Sequence, residues 1–173
     1  MIFTGFKRKS NQIFFNKRLP KLLKKASAVS SQKIKKVLII SDNYLEKELI
    51  QNNILEKLKI SKNDIEWLFF SQKLKKEQIS EDIYTPKDFG WYGNIKSERL
   101  KKLLTNKYDL LINYNKIDCL YTNLLILQCK AGFRAGFSHS DNRFYDLLID
   151  CKSEDLNLFT KELEKYLSIL NKI

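Results

Sequence analysis

The chain reads YDLLINY at residues 108–114, FRAGF at 133–137 and YDLLIDC at 145–151. Each of these short apolar runs stops at polar residues, as a strand does where it leaves a sheet. A helix-like run separates the first from the second, and we expect Gly132 to be its C-terminal cap. The pattern therefore predicts a strand-helix-strand crossover followed by another strand, which is the repeating unit of a parallel sheet.

The same alternation occupies the rest of the chain. Residues 33–40 and 65–70 have the pattern of strands, residues 45–58 between them have that of an amphipathic helix, and a last amphipathic helix covers residues 154–171. We predict a single α/β domain with a three-layer Rossmann-like or flavodoxin-like fold and a mostly parallel sheet of four or five strands. A length of 173 residues suits one such domain.

The charge of the chain is concentrated at its N-terminus. The first 36 residues include eleven basic residues and no acidic one, whereas residues 37–173 hold 21 basic and 20 acidic residues. Apolar residues recur at helical spacing near the N-terminus, and we expect Pro20 to break that pattern into two pieces. We predict a basic amphipathic arm over residues 1–32, followed by a nearly neutral domain over residues 33–173. The eleven cations are Lys7, Arg8, Lys9, Lys17, Arg18, Lys21, Lys24, Lys25, Lys33, Lys35 and Lys36.

An excess of cations on one segment points to an anionic partner for residues 1–36. We predict a non-enzymatic protein that binds RNA, with ribosomal RNA as the first candidate, because lysine-rich segments bind phosphate backbones by releasing counterions. The alternative is a peripheral membrane protein, since Phe and Leu on one face and Lys on the other suit an anionic bilayer surface. In either case the neutral domain is free to dock on a protein.

The composition also bears on the location of the protein. The three cysteines, Cys119, Cys129 and Cys151, are too few and too widely spaced for a disulfide framework or a zinc site. No apolar run reaches the ~18 residues that span a bilayer, and the N-terminus lacks the apolar segment of a secretory signal. We expect a cytoplasmic protein without a metal, associated with ribosomes or with a membrane surface.

An aromatic loop follows the second predicted strand at some distance, with the sequence PKDFGWYG at residues 86–93. Phe89, Trp91 and Tyr92 in this loop are candidates for stacking on a nucleic-acid base or on a partner surface. The alternative interpretation is a flap whose aromatic side chains cover the end of the sheet. Sequence alone leaves both interpretations open.

Polar residues follow the predicted strands, and in open α/β sheets ligands bind outside the carboxyl ends of the strands. A cleft for a small molecule or a nucleotide-sugar, used by an enzyme, is therefore our third functional hypothesis. The simpler interpretation is that every strand leaves the core through polar residues. No glycine-rich phosphate loop follows the first strand, so we expect no cofactor and assign no catalytic residue. The candidate cleft residues are Asp42, Asn43, Asn115, Ser138, His139 and Asp141.

Four motifs carry a resemblance to a known family, namely PKDFGWYG at residues 86–93, YDLLINY at 108–114, RAGF at 134–137 and YDLLID at 145–150. With these motifs, nearly the whole chain resembles an uncharacterised Bacteroidota family, a domain of unknown function. That resemblance implies a cytoplasmic setting and supplies no activity. A more limited resemblance, carried by residues 108–112 and 130–137, is to the N-terminal half of heptosyltransferase-type sugar transferases. It implies a Rossmann-like fold.

Overall fold

The structure is a computed structural model that describes residues 2–26, 33–73 and 82–173. For residues 2–4 and 21–26 the description is limited to the backbone. In chain order the helices and strands are α1 (Ile2–Ala26), β1 (Val37–Ser41), α2 (Lys47–Leu58), β2 (Ile65–Phe70), β3 (Ile83–Tyr84), α3 (Glu98–Thr105), β4 (Lys107–Tyr108), β5 (Leu110–Asn113), α4 (Leu120–Gln128), β6 (Lys130–Ala131), β7 (Arg134–Phe137), β8 (Leu147–Ile149) and α5 (Leu156–Ile169).

Six strands form one sheet in the order β3-β2-β1-β5-β7-β8, and every neighbouring pair is parallel. Counted along the chain this is the 3-2-1-4-5-6 order of a Rossmann-like fold. The predicted α/β class and mostly parallel sheet are therefore confirmed. The sheet has one strand more than expected because β3 is only two residues long and lacks an alternating pattern. Strands β4 and β6 pair separately in a small parallel ribbon.

Alternate residues of the central strands fill two cores, one on each face of the sheet. Val37 and Ile39 of β1 point into the core that α2 and α5 cover. Leu38 and Ile40 point into the core of α3 and α4. Helices thus flank both faces, which gives the three predicted layers.

Helix α4 is buried on all sides. Each of residues 121–127 is buried, and the helix sequence LYTNLLILQ offers no polar stripe that could face water. A helix that is apolar all round needs a second cover besides the sheet. Helix α1 provides that cover by packing against α4.

The C-terminal end of α4 differs from the prediction. The helix ends at Gln128, and the Cys129 amide donates to the carbonyls of Leu125 and Ile126. Lys130 and Ala131 then pair with β4 instead of continuing the helix. Gly132 is therefore not the helix cap, and our prediction for it is wrong.

Helix α1 shares the second core with the domain. Phe15 and Leu19 are each only 5% exposed. The ring of Phe15 meets that of Phe144 edge to face, with centroids 5.5 Å apart. The expectation of an arm that stands free of the domain therefore needs correction for residues 2–26. The boundary at residue 32 stays a prediction, because residues 27–32 lie outside the described residues.

The expected break at Pro20 does not occur, and α1 runs through it. A proline inside a helix leaves the carbonyl four residues earlier without its usual donor. Here that residue is Asn16, which lies on the exposed side of α1. Water can therefore bind the Asn16 carbonyl, and the helix tolerates the proline.

Candidate functional site

The packing of α1 fixes which of its faces meets water. Asn11, Phe15 and Leu19 are four residues apart and form the buried stripe against the domain. The opposite stripe carries Phe6 and Ile13, which are 60% and 57% exposed. Helix α1 therefore has two apolar stripes, and only one of them has a partner in the described part of the chain.

Helix α1 carries four exposed cations, of which Lys9 and Lys17 neighbour Phe6 and Ile13 on the exposed stripe. Arg8, Lys9, Lys17 and Arg18 are all exposed. Within residues 2–26, 33–73 and 82–173 none of the four forms an ion pair with an acidic side chain. The guanidinium carbon of Arg18 lies 5.3 Å from the ring centroid of Phe14. This contact is with a neutral ring, so it does not neutralise the charge of Arg18.

The remaining predicted cations have other environments. Lys7 is half-buried and donates to the carbonyl of Pro86 over 3.0 Å. Its pKa is lowered, mainly by burial and then by the nearby charge of Lys96. Lys21, Lys24 and Lys25 lie on α1, but their side chains lie outside the described residues.

Lys33, Lys35 and Lys36 stand just before β1, at the amino end of that strand. Lys33 donates to the carbonyl of Ile173, and Lys36 pairs with Glu66 over 2.8 Å. Lys33 and Lys36 therefore have partners within the domain, where Glu66 neutralises Lys36, and Lys35 is exposed.

The aromatic loop is held by its own hydrogen bonds. Thr85 and Asp88 cap each other's backbone around a short 3₁₀ helix over Pro86–Asp88. Phe89 follows and is fully buried, where its ring packs against that of Tyr121 at 5.2 Å. The prediction of Phe89 as a stacking residue therefore needs correction, because its ring cannot reach a partner.

A tight turn at the tip of this loop displays the other two predicted aromatic residues. Phe89 and Ile95 form an antiparallel bridge, and the Asn94 amide donates to the Trp91 carbonyl over 3.1 Å. Tyr92 and Gly93 at the centre of the turn both have positive φ, 55° and 70°, as the central residues of a type I′ turn do. Trp91 is 45% exposed and Tyr92 is 67% exposed.

The turn is fastened directly to α1. The Gly93 amide donates to the side-chain oxygen of Asn11 over 2.8 Å, and the Tyr92 amide donates to the Ser10 hydroxyl over 3.3 Å. A Cβ on Gly93 would come within 2.4 Å of the ring of Phe14, so the close approach requires glycine. The turn and its exposed aromatic residues therefore adjoin α1 next to Arg18, which contacts the same Phe14 ring.

A shallow cavity of about 240 Å³ adjoins the turn at Asn94. Its lining includes Asn94 next to the turn, Gln128 at the end of α4, and two lysines, Lys101 and Lys130. Lys130 donates to the carbonyl of Thr105 over 3.5 Å. This places two further cations near Asn94, the last residue of the turn.

The residues predicted to line a ligand cleft lie at the carboxyl ends of the strands, but they mostly bind one another or the backbone. His139 and Asn115 do come together, with Nε2 of His139 3.2 Å from the Asn115 carbonyl oxygen. Ser138 donates to Asp150 over 2.8 Å. Asp141 accepts from the Arg143 guanidinium, and Asn43 caps a short 3₁₀ helix by accepting from the Leu45 amide.

Asp42 ties together the loops that follow β1 and β5. One of its oxygens accepts from the Lys116 amide over 3.0 Å, and the Lys116 ammonium lies 2.8 Å from Glu46. Its other oxygen is buried without a partner in the described chain, as are one oxygen of Glu46 and the amide oxygen of Asn115. Burial raises the pKa of Asp42, although the bond from the Lys116 amide opposes the rise.

This bridge stands between the two strands at which the strand order reverses, where Rossmann-like sheets commonly hold ligands. The chain's own side chains occupy that position here. Within the part of the chain that the structure describes, no three His, Cys, Asp or Glu side chains are grouped as metal ligands would be. The arrangement supports loop bridging more directly than catalysis.

Sequence reasoning missed the residues that join the two halves of the surface. Ser10 and Asn11 have no motif, although the spacing of Asn11, Phe15 and Leu19 could have placed Asn11 on the buried stripe. Lys101 and Lys130 gave no signal, because they belong to the segment in which basic and acidic residues balance. Their position next to the aromatic turn follows only from the fold.

A sequence model of a family of unknown function (DUF6913) matches residues 7–170. The match covers most of the chain, so the chain belongs to this family, and the predicted resemblance to a domain of unknown function is confirmed. The match begins within α1, and it thus includes most of that helix with the α/β domain. No curated protein and no solved structure matches the chain.

Proposed function

We propose that this member of the DUF6913 family is an RNA-binding protein whose contact surface is the outer face of α1 together with the aromatic turn at Trp91 and Tyr92. The observation that carries the proposal is the junction of the two elements through Ser10 and Asn11. Uncompensated cations bind phosphates, and exposed aromatic rings stack on bases. Ser10 and Asn11 stand 82 positions before Tyr92 and Gly93 in the sequence, and their hydrogen bonds join the aromatic turn to the cationic helix.

The cations of α1 are suited to contacting a phosphate backbone. Arg8, Lys9, Lys17 and Arg18 are exposed, and no acidic side chain of the described residues forms an ion pair with them. Each phosphate contact releases a counterion, and four contacts with a single strand correspond to a slope of about −3 in log affinity against log salt. The binding would read no particular sequence, which suits an abundant cytoplasmic RNA such as ribosomal RNA.

The proposal is tested by neutralising the cations on α1. The triple variant Lys9→Gln, Lys17→Gln, Arg18→Gln should weaken binding to a labelled RNA by at least about 10-fold at low salt and should flatten the salt slope. The matched control is Lys62→Gln, Lys152→Gln, Lys161→Gln, which removes the same charge from exposed positions elsewhere on the domain. Equal losses in the two variants, or a salt-independent affinity, would contradict the proposal.

An anionic membrane surface is the second candidate partner for α1. The observation in its favour is the exposure of Phe6 and Ile13 between the cations, since an interfacial helix buries such side chains among lipids. No helix within the described residues has the length and apolar character needed to cross a bilayer.

Sedimentation with anionic vesicles separates the two candidates. The double variant Phe6→Ser, Ile13→Ser should abolish vesicle binding if lipid is the partner, because it removes the apolar contact and keeps every cation. The same variant should leave RNA affinity within about two-fold if RNA is the partner, because phosphate contacts need only the charges. We expect the second result.

A further inference from the structure

We infer that this surface selects single-stranded RNA over duplex RNA, with Trp91 and Tyr92 as a stacking platform for unpaired bases and with Lys101 and Lys130 as cations for the adjoining backbone. The inference rests on the proposed function and specifies its ligand. It follows from the strain in the turn, from the exposure of the two rings and from the cations near the turn.

The turn holds Tyr92 in a conformation that aromatic residues rarely adopt. Its φ of 55° lies in the left-handed region, where a Cβ crowds the backbone, and Asn or Gly would occupy that turn position with less strain. The side chain of Tyr92 is 67% exposed, so packing within the domain does not offset the strain. A strained residue that displays a large ring to solvent suggests a use for the ring in binding.

The neighbouring contacts make the turn rigid. Gly93 is anchored to Asn11, the Gln128 amide reaches the Gly93 carbonyl over 3.4 Å, and the Gly90 amide donates to the Asn94 carbonyl over 2.6 Å. Trp91 and Tyr92 are therefore presented from a fixed backbone. A platform that is already ordered loses little conformational entropy when a base stacks on it.

Cations lie near the turn on α1 and in the adjoining cavity. Helix α1 contributes Arg18, which contacts the Phe14 ring that lies against Gly93, and the cavity of about 240 Å³ at Asn94 contributes Lys101 and Lys130. Lys101 also pairs with Glu98, which is mostly exposed and can release it. A nucleic-acid strand whose bases rest on the turn would therefore pass from one group of cations to the other.

Base pairing decides which form of RNA can use such a platform. In an A-form duplex the faces of the bases are stacked on one another, and proteins reach chiefly the phosphates and the 2′-hydroxyl groups. Exposed rings on a rigid turn would gain nothing from that surface. Unpaired bases have free faces, which stack on Trp and Tyr without regard to sequence.

The test compares one single-stranded oligonucleotide with a hairpin duplex of equal phosphate number, by fluorescence anisotropy with the full chain. Trp91→Ala and Tyr92→Asn should each weaken single-strand binding roughly 5- to 100-fold, the loss expected for one stacked base. Neither should change duplex binding by more than about two-fold. Tyr92→Asn gives the turn the Asn-Gly sequence that type I′ turns prefer, so this variant keeps its fold. Tyr166→Ala, which removes an exposed ring from α5, is the control.

The outcomes separate this inference from the proposed function. If wild type binds both RNAs equally well and the turn variants bind as wild type does, the stacking platform is refuted while RNA binding by α1 stands. If wild type binds neither RNA but sediments with anionic vesicles, both are overturned. A single-strand preference that disappears in Trp91→Ala and Tyr92→Asn, and persists in Tyr166→Ala, establishes the platform.

Discussion

Replacing Phe15 by alanine tests whether α1 is part of the domain core. Phe15 is 5% exposed and packs on Phe144 in the core that also contains α4. A buried phenylalanine removes roughly 150–250 Å² from water, and alanine keeps only a fraction of that burial. At about 25 cal/mol per Å² the loss is about 3 kcal/mol, near the lower end of the range measured for Phe→Ala in cores.

The assays are urea denaturation and thermal unfolding, each followed by tryptophan fluorescence and by far-UV circular dichroism. We expect one transition in both signals and a melting temperature lowered by about 6–12 °C, given the ~2–4 °C per kcal/mol typical of domains of this size. The control is Ile13→Ala, two residues away on the exposed stripe of α1, which should change the free energy of unfolding by less than about 0.5 kcal/mol. Equal midpoints for the two variants, or a separate early transition for α1, would show that the helix does not share the core.

Three further substitutions probe individual contacts. Gly93→Ala should destabilise the domain by about 1–2 kcal/mol, since alanine is strained at a φ of 70° and its Cβ would displace Phe14. Thermal unfolding measures this loss, and an unchanged melting temperature would contradict the prediction. Asp42→Asn should raise stability at pH 7, because it removes a buried unpartnered carboxylate oxygen and keeps an acceptor for the Lys116 amide. Burial raises the folded-state pKa of Asp42, so the wild type binds a proton at this carboxyl as the pH falls through that value. The stability that Asp42→Asn gains over wild type should therefore shrink in acid. A stability gain that grows toward pH 4 would disprove this. Tyr108→Phe should cost about 1–2 kcal/mol, because Glu66 loses a hydrogen bond of 2.5 Å, and a denaturation midpoint equal to that of wild type would rule out the bond as a stabilising contact.

The pKa of Glu66 gives a related test on pH dependence. Burial opposes the ionisation of this carboxyl, but hydrogen bonds from Lys36 and Tyr108 outweigh burial and lower its pKa. A carboxyl whose folded-state pKa is lowered contributes stability above its unfolded pKa, and this contribution is lost as the pH falls through the folded value. Glu66→Gln should therefore cost stability at pH 7 and cost less at pH 3, as measured by urea denaturation at both values.

Much of the sheet could be predicted because its strands are apolar runs with polar ends. β1, β2, β5, β7 and β8 all follow from that pattern, and parallel pairing follows from the helices between them. Strands β3, β4 and β6 are each two residues long, and no periodicity can be read from two residues. These short strands form because neighbouring strands pair with them, so the local sequence contains no pattern that predicts them.

The sequence prediction did not place α1 against the domain, although the sequence of α4 indicated that a cover was needed. Residues 121–127 form a helix without a polar stripe, which requires a cover on the side away from the sheet. Only an unassigned amphipathic segment could supply that cover, and α1 was one. The excess of lysine in α1 favoured a free arm instead. Composition does not show which face of a helix is buried, so the apolar stripe that packs on the domain was not recognised.

The candidate surface was predictable in its parts and not in its assembly. Lys9, Lys17, Trp91 and Tyr92 were named from charge and aromatic content alone. The contact between the turn and α1 depends on Asn11 and Gly93, whose hydrogen bond joins residues 82 positions apart. Contacts between residues so far apart in the sequence leave no local pattern. Phe89 of the same motif was also predicted to be available for stacking, but it is fully buried.

The position of α1 over α4 also has a consequence for synthesis of the protein. The first helix leaves the ribosome long before Phe144, the ring that Phe15 packs on, and the wait of roughly 130 residues lasts about 6–26 s at ordinary rates of translation. During that interval both apolar stripes of α1 lack a covering surface. The helix is also rich in lysine and lies next to the ribosome, which consists largely of RNA. The nascent helix would therefore be kept in solution chiefly by its charge until the last strands close the domain over it.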